Sequence, residues 1–113
     1  MRYLVIYRPE NGQEGGMPDP VHIAAMGELV ERMTKAGKLI GTEPLGVRAR
    51  GGRVRRSGDA FEVSDETGRA AGYAFLQADS REEALELCKE FLRCAGDGVT
   101  ELRQVMEFGP PPA

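Results

Sequence analysis

Two stretches of this chain read as helices with a single apolar side, and each is bracketed by β-competent runs. From Pro20 to Ala36, Met26, Leu29, Val30 and Met33 recur at helical spacing, while Glu28 with Arg32 and Glu31 with Lys35 form i,i+4 pairs on the opposite side. From Ser80 onward, Ala84, Leu87, Cys88, Phe91, Leu92 and Ala95 make a second continuous stripe. A helix that is apolar on one side has to bury that side against another layer. With strands before and after each helix, the simplest receiving layer is one face of a single antiparallel sheet.

The strands follow from alternation and punctuation. Met1 to Arg8 carries Tyr3, Val5 and Tyr7 on one side and Leu4 and Ile6 on the other, and a strand apolar on both sides is usually covered on both. The glycine- and proline-rich stretch Pro9 to Pro20 is a loop that ends in Asp19-Pro20, an N-cap followed by a first-turn proline. Gly37 stops the first helix, and Lys38 to Thr42 returns as a short strand. After an irregular crossing from Glu43 to Gly52, Arg53 to Arg56 and Ala60 to Ser64 form a hairpin about Ser57-Gly58-Asp59. Ala71 to Ala78 alternates Tyr73, Phe75 and Gln77 against Ala74 and Leu76. Ser80-Arg81-Glu82-Glu83 is a capping box, Gly96-Asp97-Gly98 ends the second helix, and Val99 to Phe108 is the last strand.

These elements predict an α+β fold, a ferredoxin-like antiparallel sheet with two helices on one face. A chain of 113 residues is one domain at this density of elements, here residues 1–108, with a disordered proline-rich tail over 109–113. The second sheet face is left bare. Tyr3, Val5 and Tyr7 or their strand neighbours, with Tyr73 and Phe75, would expose more apolar surface than a monomer keeps, so a homodimer is expected, forming a dimeric α/β barrel.

Charge and cysteines exclude several classes. Fifteen basic and 18 acidic residues give a net −3, which disfavours nucleic-acid binding driven by overall charge. No apolar run reaches membrane-spanning length, and Tyr3 to Tyr7 is too short for a signal-peptide core, so a cytoplasmic protein with no membrane partner is expected. Cys88 and Cys94 point about 240° apart around one helix, which excludes a bridge between them; a cysteine metal site fails on count and spacing. No metal or other cofactor is expected, since GxxxxGK[ST], GxSxG and a reactive cysteine–histidine pair are all missing.

The blocks Met1-Arg2-Tyr3-Leu4-Val5-Ile6-Tyr7, Met26-Gly27-Glu28-Leu29 with Ala36-Gly37-Lys38-Leu39-Ile40, Gly72 to Ala84, and Glu101 to Glu107 together resemble the YCII-related family, in its DGPF branch. The resemblance runs in register from Met1 to about Phe108. It implies a ferredoxin-like fold paired into a dimeric α/β barrel, with a cleft between sheet and helices. It also implies either of two roles, because a few YCII-type proteins act on small aromatic or chlorinated substrates and some DGPF-type ones accompany extracytoplasmic-function sigma factors. Two departures stand out. The Asp-Gly-Pro-Phe stretch is replaced by Ser64-Asp65-Glu66-Thr67-Gly68-Arg69, leaving only Asp65 to carry over, and Met26 stands where the histidine-bearing branch has its helix histidine.

Several residues are candidates for chemistry. His22 lies one turn before Met26 on the same stripe, near a helix N-terminus that favours neutral imidazole. It is read either as a catalytic base or as a histidine at the helix mouth touching solvent or Asp19. Asp65, the residue that the resemblance carries over, is the other catalytic candidate. Arg48, Arg50, Arg53, Arg55 and Arg56 place five positive charges in nine residues; removing them from the net −3 leaves −8 on the rest of the chain. They read as a solvated edge hairpin, as a carboxylate or phosphate site through Arg53 and Arg55, or as a nucleic-acid contact that lacks interleaved aromatics. Tyr7 and Tyr73 offer hydroxyls to a cleft, or pack in the core or a dimer interface. The expectations are thus a homodimeric YCII-related protein that binds a small polar or anionic metabolite, with or without weak lyase or hydrolase activity through His22 or Asp65, or a non-catalytic accessory protein that binds a partner such as a sigma factor.

Overall fold

The computed structural model describes residues 1–10, 20–46, 50–65 and 67–106. Asp19, Arg48, Glu66, Glu107, Phe108 and the tail 109–113 lie outside the described residues, and with them the expected first-helix cap. The elements run β1 (Arg2–Pro9), α1 (Pro20–Lys35), β2 (Leu39–Pro44), β3 (Arg53–Ser57), β4 (Ala60–Ser64), β5 (Gly72–Gln77), α2 (Arg81–Ala95) and β6 (Gly98–Gln104). The fold is α+β. Four strands form one sheet in the order β2-β5-β1-β6 with every neighbouring pair antiparallel, and β3 pairs only with β4 in a separate two-stranded sheet.

Helix ends follow the local rules. After α1, Gly37 has φ +73°, its amide donates to the Thr34 carbonyl, and the Lys38 amide donates to Met33 at 2.9 Å. That double closure is a Schellman motif, and the left-handed backbone explains the glycine. At the start of α2 the Ser80 hydroxyl accepts from the Glu83 amide at 3.1 Å. Glu83 departs from a simple capping box: its Oε1 accepts from the Asp79 amide at 3.3 Å, one residue before the cap, because the same oxygen is held at 2.7 Å by the Lys38 ammonium. Gly98, opening β6, is constrained by packing. A Cβ there would stand 2.5 Å from the Arg8 carbonyl oxygen.

The Lys38–Glu83 contact ties the end of α1 to the start of α2. The hydrogen bond from Lys38 is the main cause holding the Glu83 carboxyl below its ordinary range, and the same bond raises the Lys38 ammonium. A carboxyl lowered by folding contributes stability above its unfolded value and loses it as pH falls through the folded one. A raised ammonium loses its contribution as pH climbs through its own folded value. The pair therefore supports the fold between these two limits. In a carboxyl NMR titration, Glu83 is expected to titrate at lower pH in the native chain than in Lys38→Met; equal midpoints would contradict the contact.

Both helices cover the same sheet face. The buried set joins Tyr3 and Val5 of β1, Ala74 and Leu76 of β5, Leu29 and Met33 of α1, and Ala84 and Cys88 of α2, together with Ala78. Met26, Leu39, Leu87, Phe91, Cys94 and Leu102 pack against it. Across the helix pair, Cys94 approaches the Ala25 carbonyl at 3.8 Å and Arg32 lies 3.5 Å from Glu90. Among the described residues no large side chain is fully enclosed, so the core is thin for a chain of this length.

Candidate functional site

Strand register settles which side chains share a face. Tyr3 opposes Leu76, Val5 opposes Ala74 and Tyr7 opposes Gly72, so Tyr3, Val5 and Tyr7 belong to the helix side. Leu4 opposes Phe75 and Ile6 opposes Tyr73, so these four belong to the other side. Two rows then cross that open face: Glu43, Tyr73, Ile6 and Glu101, and beside it Gly41, Phe75, Leu4 and Arg103. Each row has an apolar middle. Tyr73 and Phe75 meet edge to face at 5.9 Å, and Arg8 pairs with Glu101 at 2.6 Å on the β6 side. An apolar centre with charges at its rim is the anatomy of a protein interface. At the β2 edge the backbone slips one residue between Leu39 and Gly41, and Ile40 stands exposed there.

Tyr7 and Tyr73 accordingly occupy opposite faces of the sheet and line no common cleft. Tyr7 is wedged under α2, its ring edge-on to Phe91 at 5.3 Å and its hydroxyl donating to the Ala95 carbonyl at 3.4 Å. Burial, with a smaller contribution from Asp97, pushes its pKa up and keeps the phenol protonated. It closes the C-terminal turn of α2. Beside that turn Lys89, Leu92, Arg93, Gly96, Asp97 and Gly98 line a shallow depression of about 410 Å³ that is open to solvent.

His22 is the third residue of α1 and is exposed; Met26, one turn on, is half-buried against the core. Asp65 is exposed just past β4. Nothing among the described contacts joins His22 to Asp65, and the space between the sheet and the helices is occupied by the core side chains. Cys88 is buried inside that core, and burial pushes its thiol pKa up, which holds it in the unreactive form. Among the described residues no group of three or more histidine, cysteine, aspartate or glutamate side chains is placed to hold a metal ion, and no helix is long and apolar enough to cross a membrane.

Arg53 and Arg55 lie on the β3–β4 hairpin, which turns at Gly58, φ +61°, and Asp59. Pairing of Val54 with Val63, and of Arg56 with Phe61, gives the ribbon two unlike sides. One carries Arg53 and Arg55 with Glu62 and Ser64, and the other carries Arg56 with Val54, Phe61 and Val63, the last three 66%, 67% and 77% exposed. Arg56 folds back on the turn, its Nε donating to the Gly58 carbonyl at 2.7 Å. Sequence reasoning found the arginines and missed the apolar side. The signal was there in the alternation of Val54 with Arg53 and Arg55, and of Phe61 and Val63 with Glu62.

A scan against protein-family models gives no match for this chain, and a search of curated proteins gives none either.

Proposed function

We propose that this chain works as a cytoplasmic homodimer of ferredoxin-like layers, closed through their open sheet faces into an α/β barrel, and that it serves as a non-catalytic accessory protein for a protein partner. The observation that carries this reading is the division of apolar side chains across the sheet: the helix side is filled, while Leu4, Ile6, Tyr73 and Phe75 are only partly buried and line the other side, on which no described helix or strand of the same chain packs. With the β3–β4 hairpin counted as an insertion, the order β2-β5-β1-β6 has the two central and two edge strands of a ferredoxin-like sheet, which supports the proposed YCII-related membership. A two-fold axis along the strands would lay β6 of one copy over β2 of the other, so that the apolar middles of the two rows meet.

The accessory role is supported by the scatter of reactive groups. General acid–base chemistry needs its groups within hydrogen-bond reach of one substrate, whereas Tyr7 and Tyr73 stand on opposite sheet faces and no described contact joins the exposed His22 to the exposed Asp65. Outside the open face, Val21 and Ile23 at the start of α1 offer exposed apolar contact to a partner, for which the DGPF resemblance points to an extracytoplasmic-function sigma factor. One feature favours a second reading. Arg53 and Arg55 share a ribbon side, as a carboxylate or phosphate ligand would need.

A metabolite-library thermal-shift screen separates the two, since a ligand that binds only the folded state raises its melting temperature. The accessory reading predicts no small acid or phosphate that shifts Tm by more than about 1 °C at millimolar concentration. A compound that raises Tm by several degrees, with the shift lost in His22→Ala or in the paired Arg53→Ala and Arg55→Ala variant, would overturn it.

A further inference from the structure

We infer that β6 is a self-pairing edge, at which two copies of this chain join antiparallel about Leu102. The contact runs along the rim of the sheet, so it is separate from the proposed pairing of open faces and does not rest on it. The four-stranded sheet has two edges, β2 and β6. β2 slips by a residue between Leu39 and Gly41 and ends on Pro44, which has no amide to donate, and both features blunt an edge. β6 keeps an unbroken register with β1 over all seven of its residues and contains no proline. Its other side pairs with no described strand.

The ladder to β1 fixes which groups β6 turns outward. Just beyond its two ends, the Val105 amide donates to the Arg2 carbonyl at 2.9 Å and the Asp97 carbonyl accepts from the Glu10 amide at 3.1 Å. Backbone bonding alternates along an antiparallel pair, so Val99, Glu101 and Arg103 bond to β1, while the amides and carbonyls of Gly98, Thr100, Leu102 and Gln104 point away from it. A second β6 reaches those groups about a two-fold axis only by setting even-numbered residues opposite even-numbered ones. With Leu102 opposite Leu102, Thr100 meets Gln104, Glu101 meets Arg103 and Val99 meets Val105. Opposite charges and apolar side chains then match across the join. Sliding one strand by two residues, the smallest slip that keeps the outward groups matched, sets Glu101 on Glu101 in one direction and Arg103 on Arg103 in the other. The segment Val99-Thr100-Glu101-Leu102-Arg103-Gln104-Val105 is thus its own antiparallel complement, and that identifies the occupant as a second copy. Glu101 already holds Arg8 at 2.6 Å, so Arg103 of the second copy extends an existing ion pair.

One added strand pair is a weak contact, so the test reads it near millimolar concentration. Amide hydrogen exchange is followed by NMR in the intact chain, in Glu101→Arg, in Arg103→Glu and in an equimolar mixture of the two variants. Both positions are exposed, and unchanged exchange at the buried Val5 and Leu76 confirms that each variant is folded. In the intact chain, exchange at Thr100, Leu102 and Gln104 is expected to slow at least about twofold between about 50 μM and about 1 mM. Each variant alone sets like charges opposite each other and should lose the slowing, and the mixture, which restores opposite charges, should regain it. Rates independent of concentration in the intact chain, slowing that survives either variant, or a mixture that exchanges like its components would each overturn the inference. The same slowing is expected in Phe75→Asp, which leaves the β6 edge as it is; slowing confined to chains with native Phe75 would make the edge a product of the open-face dimer and overturn its independence.

Discussion

Phe75→Asp is expected to separate the proposed homodimer into single folded chains. Phe75 sits in β5, a central strand, between Gly41 on one side and Leu4 on the other, in the middle of the open face. In the isolated chain Phe75 is only partly buried, so a carboxylate there can still reach water and costs mainly strand propensity, about 1 kcal/mol. In the proposed barrel the same carboxylate would be enclosed between two sheets without a partner, and that costs several kcal/mol. The difference falls on the association equilibrium. A weakening of about a thousandfold or more, roughly 4 kcal/mol, is the expected result in sedimentation equilibrium. Native affinity in the variant would place the dimer contact somewhere else.

Leu76→Ala probes the opposite face and should act on folding itself. Leu76 is 3% exposed, lies between Tyr3 of β1 and Leu39 of β2, and belongs to the buried set beneath both helices. Removing its branched end leaves a cavity in a core that is already thin, at a cost of about 2–5 kcal/mol. Against a typical total of about 5–15 kcal/mol this is a large share, and a Tm lower by about 10 °C or more is expected in thermal unfolding at fixed protein concentration. A loss under about 1 kcal/mol would mean that the helices do not pack on this face as described.

The contrast between these two neighbours shows what the sequence conveys and where it stops. Alternation along β5 separates Leu76 from Phe75, and alternation along β1 separates Tyr3, Val5 and Tyr7 from Leu4 and Ile6. Both sets in β1 are apolar, however, so periodicity alone does not say which set the helices take. The choice is made by pairing: small Ala74 and Leu76 come to the helix side beside Val5 and Tyr3, and the bulky Tyr73 and Phe75 are left outside. Signals confined to a few residues were legible, as at Ser80 with Glu83, at Gly37 and at the Gly58 turn, because caps and turns depend on adjacent backbone alone.

Long-range features were less accessible. Glu83 reaches past its cap to Asp79 because Lys38, 45 positions away in sequence, holds the same oxygen. β6 pairs with β1 from Gly98 to Gln104, a shorter strand than the Val99 to Phe108 run of β-competent residues proposes. Tyr7 and Tyr73 look alike as strand tyrosines, yet one hydroxyl closes the end of α2 and the other ring lies on the opposite face. The hairpin's separation from the main sheet has no signature within Arg53 to Ser64, since an edge strand and a free ribbon share the same alternation.

Sedimentation equilibrium of the unmodified chain at micromolar concentration tests the pairing of open faces most directly. A species of twice 12.3 kDa that falls to 12.3 kDa in Phe75→Asp, with circular dichroism unchanged, is the predicted result. A single 12.3 kDa species that persists in the unmodified chain up to about 100 μM, equivalent to an association weaker than about 5.5 kcal/mol, would contradict it.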